Sequence, residues 1–469
     1  MGGFFGVVSK KDCVSDLFFG TDYHSHLGTK RGGMTTYCEE GFIRYIHDIS
    51  NAQFRSKFDE DVRKMRGNMG IGVISDYEDQ PLLITSHLGD FSIVTVGVIK
   101  NSEALVKKIF RHKSSHFAEM GGGYINPTEL VAALINEENS FEAGIEHAQK
   151  VIEGSCSILV LTKKGLFAAR DRLGRTPVIL GKRPGAYAVT FETSAFPNLG
   201  YETVRDLGPG EIILISPEGI SVKKKAGKDM QICSFLWVYY GYPSSDYEGI
   251  NVEASRYRCG AMLANRDNVS IDMAAGIPDS GTAHAMGYSN EKKVPFTRPF
   301  VKYTPTWPRS FMPQDQNIRD LVAKMKLIPI KELIRGNRIL FCEDSIVRGT
   351  QLKEIISRLY EYGAKEVHMR PACPPLVYGC KFLNFSRSRS VLDLAGRWAI
   401  KELLKKDIND PKAWIDPDSD NYKAMVEVIR KRLKLTTLQY QRLDDLVEAI
   451  GLPKEKLCTY CWDGCEKIK

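Results

Sequence analysis

Glu343 and Asp344 are adjacent carboxylates that close a short apolar run, Ile339-Leu-Phe-Cys342, and open a polar one, Ser345-Ile-Val-Arg-Gly-Thr350. Two neighbouring carboxylates can accept from the paired hydroxyls of a ribose, and the same pair can help hold a Mg2+ that neutralises a pyrophosphate. Backbone N–H groups over Ser345, Ile346, Val347, Arg348, Gly349 and Thr350, with the Ser345 and Thr350 hydroxyls, can surround a dianionic phosphate. Together these residues read as a ribose-phosphate cradle. The chemistry implied is displacement of pyrophosphate from C1 of phosphoribosyl pyrophosphate. A surface turn with two solvated acids is the commoner fate of a lone Glu-Asp pair, but here the whole ordered pattern is present.

The flanks say how such a cradle is positioned. Ile339 to Cys342 suits a strand buried in a parallel sheet. Leu352, Ile355, Ile356 and Leu359 then recur at helical spacing as far as Gly363, and Glu366 to Met369 reads as the next strand. Strand, loop, helix and strand make a βαβ unit, and ligands of such sheets bind at the carboxyl ends of the strands. Upstream, Val269 to Ala275 is predicted as a strand, Gly276 to Gly281 as a turn and Thr282 to Tyr288 as a helix. Asp279, Ser280 and Gly281 therefore lie at another strand end, within reach of a pyrophosphate. Taken alone, Pro-Asp-Ser-Gly is an ordinary β-turn.

The chain has 469 residues, enough for two or three domains, and 43% hydrophobic content supports buried cores. Its 65 basic and 57 acidic residues leave a net charge of +8 without a long basic block, so nucleic acid is not an expected partner. No stretch approaches the roughly 18 apolar residues that span a bilayer, and the first residues lack a basic region and cleavage site, so a cytoplasmic protein is expected. Gly70 to Ile99 and Gly154 to Ser216 mix short strands with turns, and Pro127 to Ile152 reads as helix around a Glu-rich turn. That is an α+β domain with antiparallel sheet. A boundary is placed within Pro217 to Asp229, where Lys223, Lys224 and Lys225 read as a polar linker, giving domains over 1–229 and 230–469. The second is α/β with parallel strands, and Ser388 to Leu452 is helix-rich and highly charged.

Eleven cysteines, an odd count in a long chain, argue against a secreted disulfide framework. Cys458-x-x-Cys461, followed by Cys465, lets two thiolates reach one metal centre. Cys233, Cys380, Cys373 and Cys156 can each supply the remaining ligands on sequence alone. Zinc, an iron-sulfur centre and plain thiols all stay open at this point.

Further runs carry a resemblance. Ala168-Ala-Arg-Asp171 with Leu173-Gly174, Gly181-Lys182-Arg183 and Gly208-Pro-Gly-Glu-Ile212 are followed by Ile277-Pro-Asp-Ser-Gly281, Arg309-Ser-Phe311 and Glu343 to Thr350. In this order they resemble the amidophosphoribosyltransferase family, which transfers the amide nitrogen of glutamine to phosphoribosyl pyrophosphate in purine biosynthesis. The resemblance covers nearly the whole chain. It implies an N-terminal nucleophile hydrolase-like α+β sandwich followed by an α/β type I phosphoribosyltransferase domain with a parallel sheet. It also implies Mg2+ at Ser280, Glu343 and Asp344, with Glu343 standing where the family usually has Asp. By the same resemblance Ser345 to Thr350 hold the 5′-phosphate and Asp279 to Gly281 approach pyrophosphate. Arg309, Arg319 and Lys326 would belong to a loop covering the substrate. Cys233, Cys380, Cys458 and Cys461 match the ligands of a 4Fe-4S cluster, with zinc as the alternative; Cys465 has no counterpart. Purine nucleotides and a homo-oligomer are implied as partners.

Four departures fall in one pocket of the first domain. The family's catalytic Cys is replaced by Gly2, and glycine has no side chain to attack with. Cys13, the nearest thiol, cannot take that place without loss of the first strand. Where the family has Gly-His-x-Arg-Tyr-Ser-Thr, this chain reads Gly72-Val-Ile-Ser-Asp76, and where it has His-Asn-Gly-Asn, Thr95-Val-Gly-Val98. The Asp expected before Thr128-Glu129 is Pro127. The expectation is a transferase that has lost glutamine hydrolysis and uses free or partner-supplied ammonia, giving phosphoribosylamine. Two further departures are the replaced segment Lys302 to Pro308 and a helix-rich insertion between Ser388 and Leu433. The competing expectation is a non-catalytic regulator or scaffold that binds phosphoribosyl pyrophosphate or purine nucleotides.

Overall fold

The computed structural model describes residues 2–111, 117, 120–121, 124–303, 327–383 and 391–466. The first part is a sandwich of two antiparallel sheets. In the seven-stranded sheet Gly3–Ser9 lies between Ala186–Thr190 and Met69–Ser75, and Arg31–Cys38 and Gly41–Asp48 extend one side. The six-stranded sheet centres on Gly154–Thr162, flanked by Gly165–Ala169 and Gly89–Ile99. Alternation along these strands sends Phe5, Val7, Ile71, Val73, Leu159 and Leu161 into one shared core. Helices Pro127–Ile135 and Phe141–Val151 cover the outer face of the six-stranded sheet, so Gly154–Thr162 is apolar on both sides. Each large apolar side chain fully buried there contributes about 1.5–3 kcal/mol.

Lys223 and Lys224 are not in a linker. Gly219–Lys224 is an edge strand paired with Ile212–Ser216. Its lysines meet the neighbouring helix, Lys223 beside Glu142 and Lys224 at 3.3 Å from Glu146. Charge on an edge strand also discourages pairing with another chain.

The second sheet is fully parallel, in the order Met273–Gly276, Arg338–Glu343, Glu366–Pro371 and Thr437–Leu438. The first of these is shorter than expected because the Asp267 carboxylate accepts the Val269 N–H at 2.9 Å and holds that stretch in a turn. Asp267 also pairs with buried Arg370 at 2.6 Å and accepts from the Tyr288 hydroxyl at 2.8 Å, which ties helix Gly281–Lys292 to the sheet. Helix Thr350–Glu361 ends as expected, with Gly363 at φ 89°. The two parts meet at a seam where the Cys233 N–H donates to the Arg175 carbonyl at 3.2 Å and Ile232–Cys233 pairs in parallel with Leu457–Cys458. No helix among the described residues is long and apolar enough to cross a membrane.

Candidate active site

Strands Met273–Gly276 and Arg338–Glu343 run out at the same edge, with Gly276 opposite Cys342. The Ile277 N–H donates to the Cys342 carbonyl at 3.0 Å. A Cβ on Gly281 would stand 2.4 Å from that same carbonyl oxygen, so only glycine lets the turn close on the neighbouring strand. The Pro278–Asp279 peptide bond is cis. This close approach delivers Ser280 to the acidic pair: its Oγ donates to Asp344 Oδ1 at 2.5 Å, and Ser345 Oγ donates to Asp344 Oδ2 at 2.6 Å. Asp344 is 6% exposed, with a hydroxyl donor on each oxygen. Glu343 Oε1 accepts the Asp344 N–H at 3.2 Å. Burial, and then repulsion by Asp344, holds the Glu343 carboxyl well above the usual carboxylate range. Such a pair favours a nearby positive charge. Two carboxylates and a hydroxyl are a donor set that hard oxygen-seeking cations accept.

Beyond the pair, Gly349 at φ 79° turns the chain into helix Thr350–Glu361, whose first N–H groups face the loop end. An anion is favoured at such a terminus. Asp279 forms an ion pair with Lys302, both largely exposed. Arg309, Arg319 and Lys326 lie outside the described residues.

In the sandwich, a Cβ at Gly2 would stand 2.2 Å from the Ile74 carbonyl oxygen, so no side chain fits without backbone movement. Thr95 donates its N–H to Gln80 Oε1 at 2.7 Å, and its carbonyl accepts from Gln80 Nε2 at 3.2 Å. The Thr95 and Thr128 hydroxyls share a hydrogen bond of 2.7 Å. Pro127 opens a helix capped by Asn126, whose side chain accepts the Thr128 N–H at 2.9 Å. Asp76 Oδ1 accepts the Thr29 N–H at 2.9 Å. Cys13 is buried, and burial followed by the charges of Asp12 and Asp16 pushes its thiol far up, which makes it a poor nucleophile.

Cys233 and Cys458 are register partners at the seam. Cys461 is within hydrogen-bonding reach of Cys380, and the four thiols lie in one another's electrostatic range; burial pushes Cys233 and Cys458 up, and the contact with Cys380, then burial, pushes Cys461 up. Arg175 reaches Cys458 and stacks over the Phe382 ring at 3.7 Å. Among the described residues no three or more His, Cys, Asp or Glu side chains form a group that could hold a metal ion. Cys156 sits apart in the outer core of the sandwich, Cys373 beneath the acidic pair, and Cys465 is exposed.

Sequence reading missed Gln80 and Arg256. Arg256 is 4% exposed and donates to the carbonyls of Trp237 and Gly241 at 2.9 Å each and of Tyr239 at 3.1 Å, which binds the stretch between sandwich and sheet to helix Val252–Asn265. It lies in the fields of both Asp344 and Glu192. Neither residue stands in a motif, and only the fold brings their partners to them.

The family model described as a glutamine amidotransferase domain matches residues 68–198. The chain is 30% identical over 418 residues to the amidophosphoribosyltransferase of Pyrococcus horikoshii, covering 87% of this chain and 89% of that protein. It is 29% identical over 490 residues to the amidophosphoribosyltransferase of Methanocaldococcus jannaschii, covering 99% and 97%. The solved structure of glutamine phosphoribosylpyrophosphate amidotransferase from B. subtilis, complexed with ADP and GMP, superposes with a TM-score of 0.84 at 25% identity, over 99% of this chain and 97% of that one. With the antiparallel sandwich and the parallel sheet in the same order, the chain belongs to the amidophosphoribosyltransferase family, transferases of purine biosynthesis.

Proposed function

We propose that this protein displaces pyrophosphate from phosphoribosyl pyrophosphate with ammonia, giving phosphoribosylamine, and that it has lost glutamine hydrolysis. The observation that carries the transferase half is the bracket of Ser280, Asp344 and Ser345, two loops joined across one carboxylate at the end of a parallel sheet. In this reading Glu343 and Asp344, with Ser280, would hold Mg2+, which would supply positive charge to neutralise pyrophosphate. Ser345 to Thr350 grip the 5′-phosphate and Asp279 to Gly281 lie along the pyrophosphate. The bond from C1 to the pyrophosphate oxygen breaks and its electron pair leaves with pyrophosphate; a C1–N bond forms and the ammonia sheds one proton. The residues contribute position and charge rather than proton transfer.

Loss of the glutaminase step rests on Gly2, whose position admits no side chain. In our reading residues 1–229 are a retained amidotransferase scaffold and 230–469 the transferase domain, with ammonia arriving free or from a partner protein. The family resemblance would put a 4Fe-4S cluster, or zinc, on the Cys233, Cys380, Cys458 and Cys461 thiolates; in this structure the four do not close into a group that could hold a metal ion. Purine nucleotides as further ligands and a homo-oligomer complete the reading. The test is pyrophosphate release measured in parallel with ammonia, with glutamine and with no donor. Release with ammonia alone is expected; equal release with glutamine would overturn the lost-glutaminase half, and no release with any donor would overturn the whole.

A further inference from the structure

We propose that the helical segment 391–433 is a brace that fixes the shape of the phosphate loop, with Ala395 and Leu433 as its positioning residues. The inference rests on reading Ser345 to Thr350 as that loop. Ala395 opens helix Ala395–Leu404, and its N–H is one of the first-turn donors that no carbonyl of its own helix can satisfy. It donates instead to the Val347 carbonyl at 2.7 Å. Leu433 closes helix Asp420–Leu433 and stands against the loop's other end: a Cβ on Gly349 would lie 3.2 Å from Leu433 Cδ2. Next to the first anchor, Ile346, 3% exposed, is buried in one apolar cluster with Ala395, Met425 and Leu433. Gly396 lets the first helix sit this close, since a Cβ there would be 2.6 Å from Val377 Cγ1 and 3.4 Å from Met425 Sδ.

These contacts act on three separate points of a six-residue loop, through a main-chain carbonyl, a side chain and a glycine. A loop that offers its N–H groups to an anion gains order from anchors on its remaining groups, so less freedom is lost when the anion binds. The charged exterior that marks 391–433 in the sequence is the solvent side of this brace; its working side is apolar.

Leu394 has φ −66° and ψ 135°, a shape compatible with a following proline, and the first helical position tolerates one. Ala395→Pro therefore deletes the donor and keeps the helix. Ribose 5-phosphate binding to the full-length protein, followed by calorimetry, should weaken about fivefold to tenfold in this variant. KM for phosphoribosyl pyrophosphate should rise by a similar factor with kcat little changed, and Ala395→Ser, which retains the N–H, should rescue both. Leu433→Ala should weaken ribose 5-phosphate at least about threefold by loosening the other anchor. If Ala395→Pro loses its circular dichroism signal, Leu433→Ala decides alone. Should the unsubstituted protein fail to bind ribose 5-phosphate, the phosphate-loop reading falls. Should it bind while the folded variants bind equally well, the brace is overturned and the loop assignment stands.

Discussion

At the end of the parallel sheet, Asp344 draws a hydroxyl from each of two loops while Glu343 is crowded against it with its carboxyl pushed up. At the head of strand Gly3–Ser9, by contrast, the polar groups of the corresponding pocket are matched among themselves: Gln80 with the backbone of Thr95, Thr95 with Thr128, and Asp76 with the Thr29 N–H. The first region keeps an unbalanced charge that a cation and its anionic substrate can relieve. In the second these groups pair with one another, and the Gly2 position is closed by the Ile74 carbonyl. The proposed function accounts for this contrast: electrostatic demand is left unmet at the acidic pair, and the groups named around Gly2 meet theirs from within.

The sharpest way to break this contrast is at Asp344. Asp344→Asn keeps the size of the side chain but removes the charge, and pyrophosphate release with ammonia should fall by about a hundredfold or more. Near-normal release would mean that the acidic pair is not the reacting site. On the sandwich side, Gly2→Ala places a Cβ against the Ile74 carbonyl and should cost about 1–3 kcal/mol of stability without touching that release. Urea unfolding measures the first part, and a neutral outcome would show room for a side chain where we find none.

The smallest effect concerns proton uptake. His24 is buried beside Gly3, with Nδ1 against the Gly20 carbonyl at 2.8 Å and Nε2 against the Thr190 hydroxyl at 3.1 Å, and burial pushes its pKa down to about 4. The unfolded value is near 6.5, so the unfolded chain takes up the proton first as the pH falls. Stability is therefore intact above about pH 6.5 and declines toward about pH 4, at up to roughly 1.4 kcal/mol per pH unit for this one group. His284, pushed down to about 3 on the transferase side, adds a decline of the same sign. Unfolding series between about pH 7 and pH 5 should show a shallower slope for His24→Gln than for the unsubstituted protein. An unchanged slope would mean that the sandwich interior already admits the charge.

Much of the local structure around the acidic pair could be read from the sequence because its parts are local. An apolar run, two acids, a hydroxyl-rich loop and a helical period stand side by side from Ile339 to Leu359, and the structure keeps each as the element its pattern suggests. The Lys223 to Lys225 stretch misled because charge on a short segment looks the same in a linker and on an edge strand; only pairing with Ile212–Ser216 distinguishes them. The strand from Val269 was overdrawn for a related reason, since the Asp267 side chain intercepts a ladder N–H.

By itself the sequence determined the elements around the acidic pair, their order and the pair itself, which follow from residue type and short-range spacing, while Gly2 in the nucleophile's place was legible only through the family resemblance. Tertiary structure alone decided that Ser280 and Ser345 meet on Asp344, that Gln80 takes up the backbone of Thr95, and that Ala395 reaches Val347. Those contacts join residues far apart along the chain, and their hydrogen bonds depend on distances and directions that exist only once strands are in register and cores are packed.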